Sequence, residues 1–146
     1  MLNKSPHRVL FVCIHNSARS QMAQAFLHQL TQGRVHVESA GLEEGQLNPI
    51  IVELMNEINI DIAHHRTQTV AQVLDRRENW DYVITVCDDA SGERCPVFPG
   101  DVQRLHWSFK DPSAQTGSWA EKKEKIRPIR DAIELRIKDW MRTWVC

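Results

Sequence analysis

The segment Arg8-Val-Leu-Phe-Val12 runs directly into Cys13-Ile-His-Asn-Ser-Ala-Arg19-Ser20, and a helical pattern follows at once. No other stretch of the chain limits the fold as tightly. A short, unbroken apolar run of this kind reads as a strand buried on both faces, which belongs to a parallel sheet covered by helices. A cysteine, five residues and an arginine, set between such a strand and a helix, can build a small oxyanion cradle. Peptide N–H groups line a loop of this kind, and the positive end of the following helix points into it. The same field favours a thiolate, so nucleophile and anion site arise together.

The rest of the chain alternates in the same way. Met22, Ala23, Phe26, Leu27 and Leu30 form a helical stripe between Ser20 and Leu30, broken by Gly33. Val35 to Ser39 alternates as a second strand, closed by Gly41. Asn48-Pro49 predicts a helix start, with Ile51, Leu54, Met55 and Ile58 as its apolar face. Val70, Val73 and Leu74 predict a short helix, and Tyr82 to Val86 a third strand with Cys87 immediately after it. Asp88 to Gly100 carries Gly92, Pro96, Pro99 and Gly100 and predicts a loop with room for one helical turn. Gln103 to Trp107 predicts a fourth short strand.

Ser118 and Glu121 form a capping-box pattern for a final helix reaching about residue 142, with Ile126, Ile129, Ile133, Ile137 and Trp140 on its buried face. Pro128 lies inside it. An interior proline costs about 3 kcal/mol, which predicts a kink, or a main helix that begins near Arg127. Strands alternating with helices imply an α/β fold with right-handed connections, and ligands in such sheets sit outside the carboxyl ends of the strands. Cys13 and Cys87 each follow a strand, so both are expected at that edge.

A chain of 146 residues suits one domain spanning 1–146. Its formal net charge of -1 argues against a general nucleic-acid binder. No apolar run approaches the roughly 20 residues of a membrane span. The run after Lys4 and Arg8 is too short for a signal peptide, so a cytoplasmic protein is expected. In a reducing compartment, four cysteines without a C-x2-C pair point away from a disulfide scaffold or structural zinc.

Three motifs, taken in order, resemble the thioredoxin-coupled arsenate reductases of the low-molecular-weight protein tyrosine phosphatase superfamily. They are Cys13 through Ala23; Thr85-Val86-Cys87-Asp88-Asp89-Ala90 with Cys95-Pro96-Val97-Phe98-Pro99-Gly100; and His106-Trp107-Ser108-Phe109-Lys110-Asp111-Pro112. Ser39-Ala40-Gly41 and Ile60-Asp61-Ile62 also fall where the family has similar segments, so the resemblance covers nearly the whole chain. It implies a three-layer sandwich, a four-stranded parallel sheet flanked by helices.

The resemblance also implies a reaction. Arsenate enters the loop formed by Ile14, His15, Asn16, Ser17, Ala18, Arg19 and Ser20, where the planar fork of Arg19 suits a tetrahedral oxyanion. Cys13 attacks arsenic, and Asp111 acts as general acid. Ser20 can hydrogen-bond the thiolate, and Asn16 braces the loop. Cys87 attacks Cys13, arsenite leaves, and Cys95 then takes over Cys87, giving a disulfide for thioredoxin to reduce. This relay predicts local refolding of the Cys87–Gly100 segment.

No bound cofactor is expected; thioredoxin is the external reductant, and a monomer is expected. Some members hold a potassium ion with acidic side chains near the loop. Gln24 and Gln68 stand at those positions here, so no metal site is carried over.

Each residue has a plainer reading. Cys13 or Cys87 alone would be a core cysteine at a strand end, and Asp111-Pro112 a turn. His64 and His65 read as a polar loop, His15 as a charge-tuning loop residue with no chemical step, and Cys146 as a terminal thiol without a role. Trp107 and Trp119 are candidates to border the site. A phosphatase using Cys13, Arg19 and Asp111 is the alternative. It needs neither Cys87 nor Cys95, and Ser113-Ala114-Gln115 lacks the aromatic pair that tyrosine phosphatases often place there. A phosphocysteine carrier ranks third, because it needs neither Arg19 nor an acid.

Overall fold

The computed structural model describes residues 3–88 and 95–145. Its elements are β1 (Asn3–Lys4), β2 (Arg8–Cys13), α1 (Arg19–Leu30), β3 (His36–Gly41), α2 (Pro49–Asn56), α3 (Val70–Asp75), β4 (Tyr82–Thr85), β5 (Gln103–His106), α4 (Trp119–Met141) and β6 (Trp144–Val145). A single 3-10 turn, Pro112–Ala114, precedes α4. Strands β3, β2, β4 and β5 form a parallel sheet in that order, with Arg8 opposite His36 and Cys13 opposite Gly41. The four-stranded parallel sheet implied by the sequence is the sheet observed. Among the described residues no helix is long and apolar enough to cross a membrane.

β2 lies at the centre, and its alternation divides the core. Val9, Phe11 and Cys13 face one layer, packed with Met22, Phe26, Leu27, Leu54, Met55, Ile133 and Ile137 from α1, α2 and α4. Leu10 and Val12 face the other, with Val70, Val73, Trp80, Val83 and Phe98. Side chains of this size stabilise the fold by roughly 1.5–3 kcal/mol each when fully buried, and Leu10, Phe11 and Val12 are completely buried. That double burial is why the run lacks polar alternation.

The helix starts carry their expected chemistry. Asn48 caps α2, accepting from the Ile50 N–H, with Pro49 in the first turn. Thr69 and Gln72 form a capping box on α3, and Ser118 and Glu121 one on α4. Substituting such a cap typically costs about 1 kcal/mol.

Several expectations need correction. The second strand begins at His36, not Val35, and extends through Gly41, because β2 continues to pair with it up to Cys13. α4 does not begin near Arg127; it runs through Pro128 without interruption. Pro128 is solvent-exposed, as is Glu124, whose carbonyl loses its partner there. Water can satisfy that carbonyl while Ile126, Ile129 and Ile133 anchor the inner face. The β1–β6 pair has only two residues per strand, too short for any periodicity to announce it. Trp107 is buried in the layer of Cys13 and Cys87, 6.0 Å from Phe11 and 5.4 Å from Trp140 between ring centroids. Trp119 is about half exposed and donates its indole N–H to Glu53 at 2.7 Å. The helical turn anticipated after Asp88 falls partly, and Cys146 wholly, outside the described residues.

Candidate active site

β2 ends at Cys13, and the chain turns through residues 14–18 before α1 begins at Arg19. Three main-chain bonds draw the loop's carbonyls outward. Leu42 N–H donates to Cys13 O at 2.9 Å, Glu43 N–H to Ile14 O at 2.8 Å, and Asn48 N–H to Ser17 O at 3.0 Å. Among the described residues, no hydrogen bond takes up the N–H groups of 15–20. The cap position of α1, Ala18, supplies no side-chain bond, and its first turn holds no acidic residue. A helix N-terminus left open in this way favours an anion.

Close approach of the 41–45 segment makes the loop possible. A Cβ on Gly41 would lie 2.8 Å from Asn16 N, and one on Gly45 would lie 2.3 Å from His15 O. Only glycine fits at such contacts.

Asn16 adopts the left-handed conformation, with φ 56°. It is fully buried and uses both ends of its amide. Nδ2 donates to Ser20 Oγ at 2.8 Å and to Ser39 Oγ at 2.9 Å. Oδ1 accepts from Gln21 Nε2 at 3.1 Å and from Gln68 N–H at 3.0 Å. The four bonds hold a strained residue in place, as the sequence led us to expect of Asn16.

Behind it, Gln21 Oε1 lies 2.8 Å from His65 Nδ1, and Gln24 Oε1 accepts from Ser39 Oγ at 2.5 Å. Gln68 Nε2 donates to Glu38 and to the Ser39 carbonyl, both at 3.0 Å, while its Oε1 accepts from Arg76 at 2.9 Å. The sequence did not single out Gln21, Ser39 or His65 as loop supports. Gln21 in the first turn after an anion loop was the available signal. His65 is therefore tied into this network rather than free in a polar loop.

Ser20 Oγ lies 2.8 Å from Cys13 Sγ. Arg19 is 4% exposed and donates from Nη1 to the Phe109 carbonyl at 3.1 Å. Its Nη2 is 3.9 Å from Asp111 Oδ1. The segment carrying Asp111 thus closes over the cradle. The carboxylate is 42% exposed and also accepts from Ser113 N–H at 2.9 Å, so Asp111 both starts a turn and faces the site.

The three thiols are reduced and buried. Cys87 shares the Cys13 layer. Burial pushes its thiol up to about 11, against the nearby charge of Arg19, and the neighbouring Cys13 adds to the rise. Cys95 lies in the opposite layer with Leu10, Val12, Val83 and Phe98. The site therefore brings together Cys13, Asn16, Arg19, Ser20, Cys87 and Asp111, and leaves Cys95 on the other side of the sheet.

Away from the cradle, ligand atoms of His36, Glu38 and Glu78 lie within 4.8 Å of one another. Arg76 pairs with both carboxylates at 2.6 and 2.5 Å, and Arg8 pairs with Glu78. Two guanidinium groups already neutralise that cluster, so it carries no case for a cation.

The cradle can bind a tetrahedral oxyanion against a thiol nucleophile, with an acid opposite and a second thiol adjoining. Residues 8–144 match the family described as low molecular weight phosphotyrosine protein phosphatase. An arsenate reductase of Shouchella clausii is 38% identical over 135 residues, covering 92% of this chain and 95% of that one. The solved structure of an arsenate reductase in the phosphate binding state superposes with a TM-score of 0.75 at 26% identity, covering 94% of this chain and 98% of its own. A thioredoxin-dependent arsenate reductase of Corynebacterium glutamicum gives a TM-score of 0.65 at 27% identity, over 97% of this chain and 64% of that one. Fold, cradle and sequence agree: the chain belongs to the low molecular weight phosphotyrosine protein phosphatase family, in its arsenate reductase branch.

Proposed function

We propose that this protein reduces arsenate to arsenite through a relay of three thiols, with thioredoxin as the final reductant. The observation that carries the reading is the placement of a second reduced thiol, Cys87, in the same buried layer as Cys13 and within the field of Arg19. Hydrolysis of a phosphoester has no use for that thiol.

Arsenate sits on the open N–H groups and exchanges for the Phe109 carbonyl on Arg19. Cys13 sulfur attacks arsenic; an S–As bond forms and an As–O bond breaks, the oxygen leaving as water with a proton from Asp111. Cys87 thiolate then attacks Cys13 sulfur. The S–As bond breaks with both electrons going to arsenic, which departs as arsenite, and a Cys13–Cys87 disulfide remains.

Cys95 thiolate next attacks Cys87 sulfur, releasing Cys13 as a thiolate. Disulfide partners need Cα atoms within about 7 Å, so Cys95 must leave its layer before it can react. Thioredoxin reduces the resulting Cys87–Cys95 bond, which places the cycle in a reducing compartment such as the cytoplasm.

The test is arsenite release and NADPH consumption with thioredoxin and thioredoxin reductase. Wild type turns over; Cys13→Ser is inactive, and Cys87→Ser does not cycle. Phosphoester hydrolysis without arsenate turnover would instead make the protein a phosphatase.

A further inference from the structure

Cys95 is 4% exposed and belongs to a buried apolar cluster with Leu10 and Val12 of β2, Val70 and Val73 of α3, Val83 of β4, Trp80 and Phe98. Such a cluster opposes a thiolate, and burial does push this thiol up. Among the described residues, Arg104 reaches Cys95 from the sheet edge. Arg104 stands opposite Val83 in the β4–β5 register, so it shares the face on which Val83 packs near Cys95. Its Nη2 donates to the Cys95 carbonyl at 3.1 Å. Its charge and a side-chain hydrogen bond both act on the thiol, in the direction that opposes burial. β5 is an edge strand and Arg104 is solvent-exposed, so the guanidinium keeps its hydration while reaching inward.

We propose that Arg104 is the positioning residue of the third thiol: in the reduced protein it ties the Cys95 main chain to β5, and its long side chain keeps a positive charge beside Cys95 as the thiol leaves its layer to attack Cys87. This rests on the relay proposed above. In that step the Cys95 proton goes to solvent, a Cys95–Cys87 bond forms, the Cys13–Cys87 bond breaks, and the electron pair leaves on Cys13. Arg104 stays protonated throughout. Its counter-charge matters only here, because arsenic has already departed.

The experiment follows iodoacetamide alkylation of Cys95 by peptide mass spectrometry across pH 6–10, in the reduced full-length protein. Wild type, Arg104→Gln and Arg104→Lys are compared. Removing the charge should move the Cys95 profile up by about one pH unit and slow its modification at pH 7.5 about tenfold, with lysine restoring much of both. A merely structural role would instead loosen the pocket and speed modification at every pH, overturning the proposal. An unmoved profile would overturn it as well.

A second readout uses one equivalent of arsenate. Arg104→Gln should release the first arsenite at the wild-type rate while accumulating the Cys13–Cys87 disulfide. If wild type itself forms no Cys87–Cys95 disulfide, the relay reading fails, whereas the alkylation profiles still judge Arg104 on their own.

Discussion

Ser20 Oγ sits 2.8 Å from Cys13 Sγ, and once that sulfur is a thiolate the hydroxyl is the donor between them. The Asn16 amide gives a proton to Ser20 Oγ at 2.8 Å, occupying a lone pair of the hydroxyl. The Ser20 proton is then directed at sulfur, where it stabilises the thiolate. Ser20→Ala should slow alkylation of Cys13 at pH 7 about tenfold, since a hydrogen bond to a charged group contributes about 1.5–3 kcal/mol. Peptide-resolved alkylation measures it, and an unchanged Cys13 rate would remove Ser20 from the account.

Asn16 should be among the most sensitive positions in the fold. Asn16→Ala leaves two hydroxyl partners, an amide and a main-chain N–H without their bonds, and keeps the φ of 56° that alanine tolerates poorly. A loss of about 2–4 kcal/mol in urea denaturation is expected. Asn16→Gly relieves only the backbone. It should recover about 1 kcal/mol and no more; full recovery would show that strain, not hydrogen bonding, dominates.

Glu57 ties α2 to α4. It accepts from Arg127 at 2.9 and 2.7 Å, from Arg130 at 2.9 Å, and pairs with Lys123 at 3.4 Å. Arg127 first, then Arg130 and Lys123, pull its carboxyl down from 4.5 to about 2, against some desolvation. A carboxylate lowered in the folded state stabilises the fold fully above its unfolded value of 4.5, and that contribution fades as pH falls towards 2. Solvent screens the group, which limits that contribution to about 1 kcal/mol. Glu57→Gln should lose that much at pH 7 and almost nothing relative to wild type at pH 2, by denaturant titration. An equal loss at both pH values would contradict the linkage.

Cys87, pushed up to about 11 chiefly by burial, is a protonated thiol in the resting state at neutral pH. Its alkylation should therefore climb about tenfold per unit between pH 7 and 9. A plateau within that range would show that Cys87 is already activated before substrate arrives.

The parts of this account that short-range chemistry governs were legible in the sequence. The run into Cys13, the Asn48-Pro49 start and the Ser118–Glu121 box each involve neighbours within a few residues, and each sits where expected. The bracing of Asn16 was only half legible. Its left-handed turn follows from residue type, but its partners Ser39 and Gln68 lie 23 and 52 positions away. Pro128 misled because cost depends on which face of the helix carries it, and it lies on the exposed one. The separation of Cys87 and Cys95 by the sheet was invisible for a similar reason. Both cysteines belong to one connecting segment in the sequence, and only the packing assigns them to opposite layers.

That separation makes the order of sulfur chemistry the most direct test. Reduced protein would be mixed with one equivalent of arsenate without thioredoxin, quenched in acid, and its disulfides mapped by mass spectrometry. The account predicts a Cys87–Cys95 bond with Cys13 free in wild type, and a trapped Cys13–Cys87 bond in Cys95→Ser. A Cys13–Cys95 bond in wild type, or arsenite released with all three thiols still reduced, would contradict it.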